Sequence, residues 1–314
     1  MTSSAIAASG LRKAYQDKVV LSRLDLDVPA GTIFCLLGPN GSGKTTTINV
    51  LTTLIKADAG TVRVAGHDVQ NETRAVRAAI GVTGQFAAVD ELLTGRENLQ
   101  LMAELKKLSA AESRQVITEL LDRFELTDAA DRRVATYSGG MTRKLDLAMT
   151  LVGRPEIIFL DEPSTGLDPR SRRTMWNIIR ELVADGVTIF LTTQYLDEAD
   201  QLADRIAVLD QGELVAQGTP AELKRQIPGS HVRLRFATDH DLDNAMQVLA
   251  DASPDDEDLT IRVPSDGTAK SVRAVLDQLD TRSIEIEEFS VHTPDLDDVF
   301  LALTGRTSAE VAAA

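Results

Sequence analysis

The residues with the clearest chemical potential form a glycine-rich run that is followed at once by lysine and threonine. The pattern G-x-x-x-x-G-K-[ST] is matched by Gly38, Pro39, Asn40, Gly41, Ser42, Gly43, Lys44 and Thr45. Glycines allow backbone N–H groups to turn inward and form an anion-binding nest. Lysine supplies a positive charge, and a hydroxyl can bind Mg²⁺. The motif therefore predicts a phosphate-binding loop.

The segments around this loop have the required pattern. The apolar run at 33–37 predicts a buried strand before it, and Ile48, Leu51 and Leu54 predict a helix after it. A helix that begins at the loop would add the positive end of its dipole to the nest. We expect Lys44 to contact the β- and γ-phosphates, and the hydroxyl of Thr45 to bind Mg²⁺.

Two adjacent carboxylates end a second apolar run in "RPEIIFLDEPSTGLDP". Asp161, at the end of a parallel strand beside the phosphate loop, would hold Mg²⁺ directly or through water. Glu162 can orient or deprotonate the attacking water. Many strands end in acidic turns, so this motif gains its meaning from the phosphate loop.

A Ser-Gly-Gly turn precedes a helical pattern in "TYSGGMTRKLDLAMTLVG". Ser138, Gly139 and Gly140 would open that helix and form a second anion-binding site. An ordinary N-cap made by Ser138 is the alternative interpretation. Gln194 raises a similar question, since it follows the apolar strand in "FLTTQYLDEAD" either as a loop residue or as a contact to phosphate.

The order and spacing of these motifs, with Gln85 in "VTGQFAAVDELLTGRENL", resemble ABC-type ATPases over roughly residues 5–225. The resemblance implies a P-loop ABC-type nucleotide-binding domain, in which a mixed α/β sheet with helices carries a helical subdomain. It also implies a homodimer that binds ATP and Mg²⁺, with each ATP between one subunit's phosphate loop and the other's Ser-Gly-Gly turn.

The resemblance assigns roles to further residues. Tyr15 matches the aromatic residue that stacks on adenine, although a tyrosine on a strand surface is the alternative. Thr46 extends the phosphate loop, Gln85 joins the Mg²⁺ and water site to the surface that receives the membrane partner, and Asp168 lies at the dimer seam. Gln194 stands where most members have a γ-phosphate-sensing histidine, and its amide cannot shuttle a proton at neutral pH.

The motifs "TYSGGMTRKLDLA", "LTTQYLDEADQLADRIAVLDQGELVAQGTPAELK" and "DDVFLALTG" extend the similarity, over nearly the whole chain, to the daunorubicin/doxorubicin-resistance type of ATP-binding subunit. That type implies an ATPase on the cytoplasmic face of the membrane, which powers efflux of drugs or lipids through a separate integral membrane permease subunit. The alternative is a non-transport ABC regulator with a soluble partner. One set of motifs without an internal repeat disfavours translation-associated ABC proteins, and the absence of sustained heptads disfavours DNA-maintenance ATPases.

Length, composition and charge indicate which kind of domains position these residues. The chain has 314 residues, 43% hydrophobic content and a formal net charge of −15, so we expect globular domains that do not bind nucleic acid directly. The apolar runs are too short for a membrane span. The lone cysteine, Cys35, is expected in the core. We predict an ABC ATP-binding domain at 1–230, with its helical subdomain at about 86–150.

A small α+β domain is predicted at 231–314, where 18 acidic residues outnumber 7 basic ones. Alternating runs in "VRLRF", "LTIRV" and "IEIEEFSV" predict strands, and the segments between and after them predict helices. Thr293 is expected to cap the last helix, with Pro294 at its first position and Gly305 at its far end. His231, His240 and His292 are scattered along this segment and are expected on its surface, without a metal site.

Overall fold

The computed structural model describes residues 4–85, 87–225, 230–255, 258–266, 268–292 and 294–304. These residues form two compact units, of which the first extends to Pro220 and the second begins at Ala221. Among them, no helix combines the length and the apolar character that crossing a bilayer requires.

The first unit is built on a ten-stranded sheet. Its strands are β1 Ser4–Tyr15, β2 Lys18–Pro29, β3 Ile33–Leu37, β4 Ala59–Val64, β5 His67–Asp68, β6 Ile80–Thr83, β7 Ile157–Asp161, β8 Thr188–Thr193, β9 Arg205–Asp210 and β10 Glu213–Gly218. Its helices are α1 Lys44–Leu51, α2 Thr73–Ala79, α3 Gly95–Leu105, α4 Ala110–Arg123, α5 Gly139–Leu151, α6 Pro169–Ala184 and α7 Leu196–Leu202. Helix α8, Pro220–Arg225, begins at the last residue of this unit.

The strand order is β5-β4-β1-β2-β10-β9-β3-β8-β7-β6. From β9 to β6 every pairing is parallel. Every residue of β3, β7 and β8 is buried, as expected for strands covered on both faces. Because these parallel strands are neighbours, their carboxyl ends lie side by side at one edge of the sheet.

Aromatic stacking fixes the middle of this parallel layer. The ring of Phe190 lies 5.6 Å from that of Phe34 on one neighbouring strand and 5.5 Å from that of Phe159 on the other. Cys35 is fully buried in the same layer, as predicted. The rest of the sheet is mainly antiparallel, with β1 paired to both β2 and β4.

The segment between β6 and β7 is mostly helical, as its pattern predicted. Its helices α3 and α4 both begin with a capping box, formed by Thr94 with Glu97 and by Ser109 with Glu112. Two short 3₁₀ turns, Thr127–Ala129 and Val134–Thr136, connect α4 to α5.

The helix after the phosphate loop is shorter than predicted. It ends at Leu51, and Leu54, which was expected on its buried face, is 65% exposed. Thr53 has a φ of 64°, in the left-handed region that ends a helix. The apolar spacing alone did not reveal this turn.

Beyond helix α8, the described residues of the second unit form an antiparallel sheet and three helices, as the sequence pattern predicted. Its strands, in the order β12-β13-β11-β14, are β11 His231–Arg235, β12 Ser253–Pro254, β13 Thr260–Pro264 and β14 Glu288–His292. Its helices are α9 Asp239–Val248, α10 Ala269–Asp280 and α11 Leu296–Thr304. Its core includes Val232, Leu234, Phe236, Ile261 and Leu279, all fully buried.

Two details of this unit differ from the sequence prediction. His231 and His292 are not scattered, because pairing of β11 with β14 places their rings 4.8 Å apart. Helix α11 begins at Leu296, so Pro294 is not its first residue. The backbone N–H groups of Asp295 and Asp298 each donate a hydrogen bond to the carboxylate of the other residue at the start of this helix. The predicted roles of Thr293 and Gly305 fall outside the described residues.

Candidate functional site

The phosphate loop connects the carboxyl end of β3 to the first turn of α1. The N–H of Gly38 donates to the carbonyl of Thr193 at 3.2 Å, which ties the loop to the end of β8. Gly43 is the N-cap of α1 with a φ of 113°, and a Cβ there would lie 2.7 Å from the Leu21 side chain. Both the backbone angle and the space therefore require glycine at this position.

Lys44 is almost completely buried at the start of α1. Its Nζ donates to the carbonyl oxygens of Gly38 at 2.7 Å and Pro39 at 3.1 Å, and it lies 3.6 Å from Oε1 of Glu162. Burial lowers the pKa of Lys44, while the charge of Glu162 acts in the opposite direction. The ammonium group thus lies inside the loop, facing the acidic strand end.

The other loop residues differ in exposure. Asn40, Gly41 and Thr45 are exposed, and Thr46 is half-buried. Ser42 is buried, and its hydroxyl has no hydrogen-bond partner within the part of the chain that the structure describes.

Two hydroxyl groups converge on the carboxylate of Asp161, which is 5% exposed. Thr45 Oγ1 donates to Oδ2 at 3.0 Å, and Thr192 Oγ1 donates to Oδ1 at 2.5 Å. The structure therefore brings together Thr45 and Asp161, as predicted for a pair of oxygen ligands. Thr192 had not been predicted.

Gln85, the third predicted ligand, lies two residues beyond the end of β6 and is exposed. Among the described residues, no hydrogen bond joins its side chain to Thr45 or Asp161. The structure thus places Gln85 after a strand of the same parallel layer, without a hydrogen bond to either residue of the pair.

Glu162 follows β7 in a strained backbone conformation. Its φ is 50°, which is uncommon for a residue other than glycine and is typical of functional sites. Its N–H donates to the carbonyl of Thr192 at 3.1 Å, and Thr165 Oγ1 donates to its Oε2 at 3.3 Å. These contacts hold a largely buried carboxylate beside Lys44.

Gln194 directly follows β8 and is half-buried. Because β8 pairs with β3 on one side and with β7 on the other, Gln194 follows a strand that lies between the phosphate-loop strand and the Asp161 strand. The next residue, Tyr195, donates its N–H to Thr193 Oγ1 at 3.0 Å.

Ser138 is the N-cap of α5, and its Oγ accepts the N–H of Met141 at 3.3 Å. Ser138 thus makes the ordinary N-cap, and this contact is compatible with the predicted anion-binding role of the Ser-Gly-Gly turn. Gly139 has open space around it, whereas a Cβ at Gly140 would lie 2.8 Å from Ser171 Oγ on α6. Glycine at 140 therefore allows the Ser-Gly-Gly turn to approach α6.

Asp168 caps the helix that this turn approaches. Its carboxylate accepts the N–H groups of Arg170 at 2.9 Å and Ser171 at 3.0 Å, and hydrogen bonding to Ser171 lowers its pKa. Ser138, Arg170 and Ser171 line the same groove. Asp168 and the Ser-Gly-Gly turn are therefore neighbours on one surface.

Tyr15 is the last residue of β1, and its side chain is 47% exposed. Nζ of Lys13 lies 5.4 Å from the centre of its ring. This position suits either a surface tyrosine or a ring that offers a face to a flat ligand.

The sequence analysis missed a buried polar cluster behind the carboxylates. Arg143 and Asp146, on α5, are 8% and 2% exposed, and Glu198, on α7, is fully buried with its Oε1 accepting Trp176 Nε1 at 3.1 Å. The signal was a charged pair three residues apart on an otherwise apolar helix face. The partners of Arg143 and Asp146 are mostly backbone groups, which a sequence pattern does not reveal.

Comparisons with known proteins agree with this geometry. A family model described as ABC transporter matches residues 21–165, and one described as ATP-binding protein DrrA1-3-like, C-terminal domain, matches residues 218–304. The solved structure of cbiO1 from Clostridium perfringens, part of an ABC transporter complex, superposes with a TM-score of 0.67 at 23% identity, covering 71% of this chain and 91% of that one. A dimeric post-hydrolysis ATP-binding cassette bound to ADP and Pi superposes with a TM-score of 0.62 at 26% identity, covering 68% and 98%.

The fold and the site thus define an ABC-type ATPase, which binds nucleotide and hydrolyses ATP. The daunorubicin/doxorubicin resistance ATP-binding protein DrrA of Streptomyces peucetius is 50% identical over 96% of this chain and 92% of that protein. A Nod factor export ATP-binding protein of Paraburkholderia xenovorans is 38% identical over 98% and 99%. The chain belongs to the ATP-binding subunits of ABC transporters of the daunorubicin/doxorubicin-resistance type.

Proposed function

We propose that this ATPase works as a homodimer on the cytoplasmic face of the membrane, where it drives efflux of drugs or lipids through a separate integral membrane permease. Each ATP would lie between the phosphate loop of one subunit and Ser138, Gly139 and Gly140 of the other. The observation that carries the proposal is the convergence of Lys44, Thr45, Asp161 and Glu162 at one sheet edge. Cargo of this kind is supported by the relatives, whose names concern resistance to daunorubicin and doxorubicin or export of Nod factor.

The oxygen ligands at this edge fit Mg²⁺. A threonine hydroxyl and a carboxylate are hard donors of the kind that this cation prefers, and Thr45 and Asp161 already meet at 3.0 Å. Gln85 would complete the set. When bound, the cation would neutralise charge on the β- and γ-phosphates.

The chain's own residues would then perform hydrolysis. Lys44 would hold the β- and γ-phosphates, and Glu162 would accept a proton from the water that attacks the γ-phosphorus. Gln194 would donate an amide hydrogen bond to the γ-phosphate. Since its amide does not titrate at neutral pH, Glu162 must serve as the proton acceptor. Tyr15 would stack on adenine, and Asp168 would lie at the dimer seam.

We further propose that the ATP-binding domain covers 1–230, that its helical subdomain covers about 86–150, and that 231–314 forms a separate domain which assists subunit pairing or assembly with the permease. The division of the described residues near Pro220 supports a boundary in this region.

Co-expression with a membrane protein encoded by a neighbouring gene tests the function. We expect the two chains to co-purify from detergent and the ATPase activity to rise when cargo is added. Recovery of this chain with a soluble partner and no membrane protein would instead favour a non-transport regulator. Deleting residues 231–314 tests the second domain, since unchanged dimerisation together with unchanged co-purification would contradict its proposed role.

A further inference from the structure

Helix α5 carries a buried ion pair whose side chains take no part in the proposed hydrolysis step. Nη1 of Arg143 lies 3.3 Å from Oδ2 of Asp146, and both side chains are largely excluded from solvent. Their helix neighbours Leu145, Leu147 and Ala148 are buried and apolar. A charged pair in such surroundings has a large desolvation cost, so it contributes little to stability unless its other hydrogen bonds are also made.

The guanidinium group of Arg143 makes those hydrogen bonds to the backbone on both sides of the site. Its Nε donates to the carbonyl of Pro163 at 3.1 Å, and its Nη2 donates to the carbonyl of Asp161 at 3.2 Å, with the Glu162 carbonyl at 3.5 Å. Its Nη1 donates to the carbonyl of Gly84 at 2.9 Å. One planar group thus joins α5 to the turn that carries Glu162 and to the chain just before Gln85.

Asp146 holds the same chain a few residues further along. Its Oδ1 accepts the N–H of Ala88 at 2.9 Å, while its Oδ2 faces Arg143. The pair therefore contacts Gly84 and Ala88, which precede and follow Gln85 in the sequence.

We infer that Arg143 is a positioning residue for ATP hydrolysis, which fixes the turn at Asp161, Glu162 and Pro163 relative to α5 and to the end of β6. Asp146 orients the guanidinium group. Through this contact, a displacement of the Ser-Gly-Gly helix moves the turn that carries the Glu162 carboxylate. The inference rests on the proposed role of Glu162.

Lysine cannot replace arginine in this arrangement. A guanidinium group offers five N–H donors in a fixed plane, which suits acceptors on three sides. An ammonium group is a compact charge with three donors and cannot reach the Gly84 and Pro163 carbonyls together. Arg143→Lys therefore keeps the charge and removes the planar geometry.

The test compares two variants with a matched control in the full chain. Arg143→Lys removes the geometry, and the double variant Arg143→Met, Asp146→Leu replaces the ion pair with apolar side chains of similar size. The control applies the same two substitutions to Arg123 and Asp185, an ion pair of 2.7 Å that joins the end of α4 to the end of α6. Turnover at saturating ATP, the Kd of a fluorescent ATP analogue and the unfolding midpoint are measured for each.

We expect turnover to fall about tenfold to a hundredfold in both variants, since a small misplacement of reacting groups costs that much. The Kd of the analogue should change by less than about threefold, because the phosphate loop is intact. The control should keep its turnover.

Turnover within about twofold of the original protein in Arg143→Lys, or in a folded double variant, would overturn the inference. A parallel loss of nucleotide binding, or failure of both variants to fold, would assign the pair to stability alone and would also overturn it. These outcomes leave the role of Glu162 standing, which Glu162→Gln tests separately.

Discussion

At the scale of single residues, Glu162 is the side chain whose surroundings point most clearly to chemistry. Its backbone is in the left-handed region, its N–H is tied to Thr192, and its carboxylate lies between Lys44 and Thr165. Strain of this kind persists when the surrounding structure fixes the residue from several sides. The carboxylate is therefore held in one place before substrate arrives.

Replacing Glu162 with glutamine should separate binding from hydrolysis. The amide keeps the size of the side chain but cannot accept a proton, so we expect turnover to fall by about 10²- to 10⁴-fold. Binding of a fluorescent ATP analogue should persist, and ATP should trap a closed dimer that gel filtration detects. Glu156→Gln, an exposed carboxylate just before β7, is the control. Normal turnover in Glu162→Gln would refute the role of this residue.

Substitutions of Gln194 test its proposed contact with the γ-phosphate and the absence of a titrating group at this position. An amide bonded to the γ-phosphate contributes a charge-assisted hydrogen bond, so Gln194→Ala should lower turnover by roughly 10- to 100-fold. Gln194→His should be tolerated and should add a dependence on pH near 6.5, the ordinary pKa of histidine.

Steady-state hydrolysis measured from pH 5.5 to 8.5 checks both variants. Gln201→Ala, on the exposed side of α7, is the matched control. Full activity in Gln194→Ala would return Gln194 to the role of a loop residue.

Sequence reasoning found Lys44, Thr45 and Asp161 because their positions at the ends of an apolar run or of a glycine loop are themselves patterns. It did not find Arg143, whose acceptors are carbonyl groups on Gly84, Asp161 and Pro163. Backbone acceptors have no residue-type signal, so only the folded arrangement shows them.

At the scale of elements, helices α6 and α7 meet at a buried acid. Glu198 on α7 accepts a hydrogen bond from Trp176 on α6, and burial raises its pKa above the ordinary value of 4.5. The hydrogen bond from Trp176 acts in the opposite direction but is a smaller influence. Folding therefore shifts the Glu198 carboxyl toward its protonated form, relative to the unfolded chain.

The sign of the resulting pH dependence follows from linkage. The unfolded chain releases this proton near pH 4.5, whereas the folded chain releases it at higher pH. The stabilising contribution of Glu198 is thus fully present below about pH 4.5 and is lost as pH rises through the folded pKa.

Glu198→Gln should remove the loss of stability at rising pH, because an amide does not titrate. The glutamine side chain can still accept the hydrogen bond from Trp176. We expect the free energy of unfolding of the variant, relative to the original chain, to increase as pH rises above about 4.5 and until the folded pKa is passed, by at most about 1.4 kcal/mol per pH unit. Urea unfolding followed by fluorescence of Trp176, the single tryptophan of the sequence, measures it. Glu181→Gln, exposed on α6, is the control, and a difference that falls or stays constant with pH would contradict the assignment.

The sequence predicted the elements best where burial was complete. The apolar runs that became β3, β7 and β8 were recognised, since a strand buried on both faces has a continuous apolar pattern. The end of α1 was misjudged because the left-handed Thr53 has no apolar signature. Likewise, the proximity of His231 to His292 depends on strand pairing between distant segments, which local patterns do not specify.

At the scale of the whole molecule, the proposed catalytic residues and the excess of acidic residues lie in different parts of the chain. The proposed catalytic residues lie in the first unit, whereas residues 231–314 carry 18 acidic and 7 basic residues. We propose that this subunit supplies ATP hydrolysis, and that the contacts with cargo belong to the membrane partner. We propose that two copies of the chain combine to form each ATP site.

The most direct measurement of that claim is ATP hydrolysis by mixed dimers. One copy carries Lys44→Ala, which disables its phosphate loop, and the other carries Ser138→Arg, which blocks its Ser-Gly-Gly turn. If each site takes its phosphate loop from one subunit and its turn from the other, a mixed dimer has one intact site. The two chains are co-expressed in equal amounts, and each variant alone serves as the control.

Random pairing makes half of the dimers mixed, so we expect the co-expressed protein to recover about a quarter of the original turnover, while each variant alone is nearly inactive. Activity no greater than the sum of the two separate variants would contradict an ATP site shared between subunits.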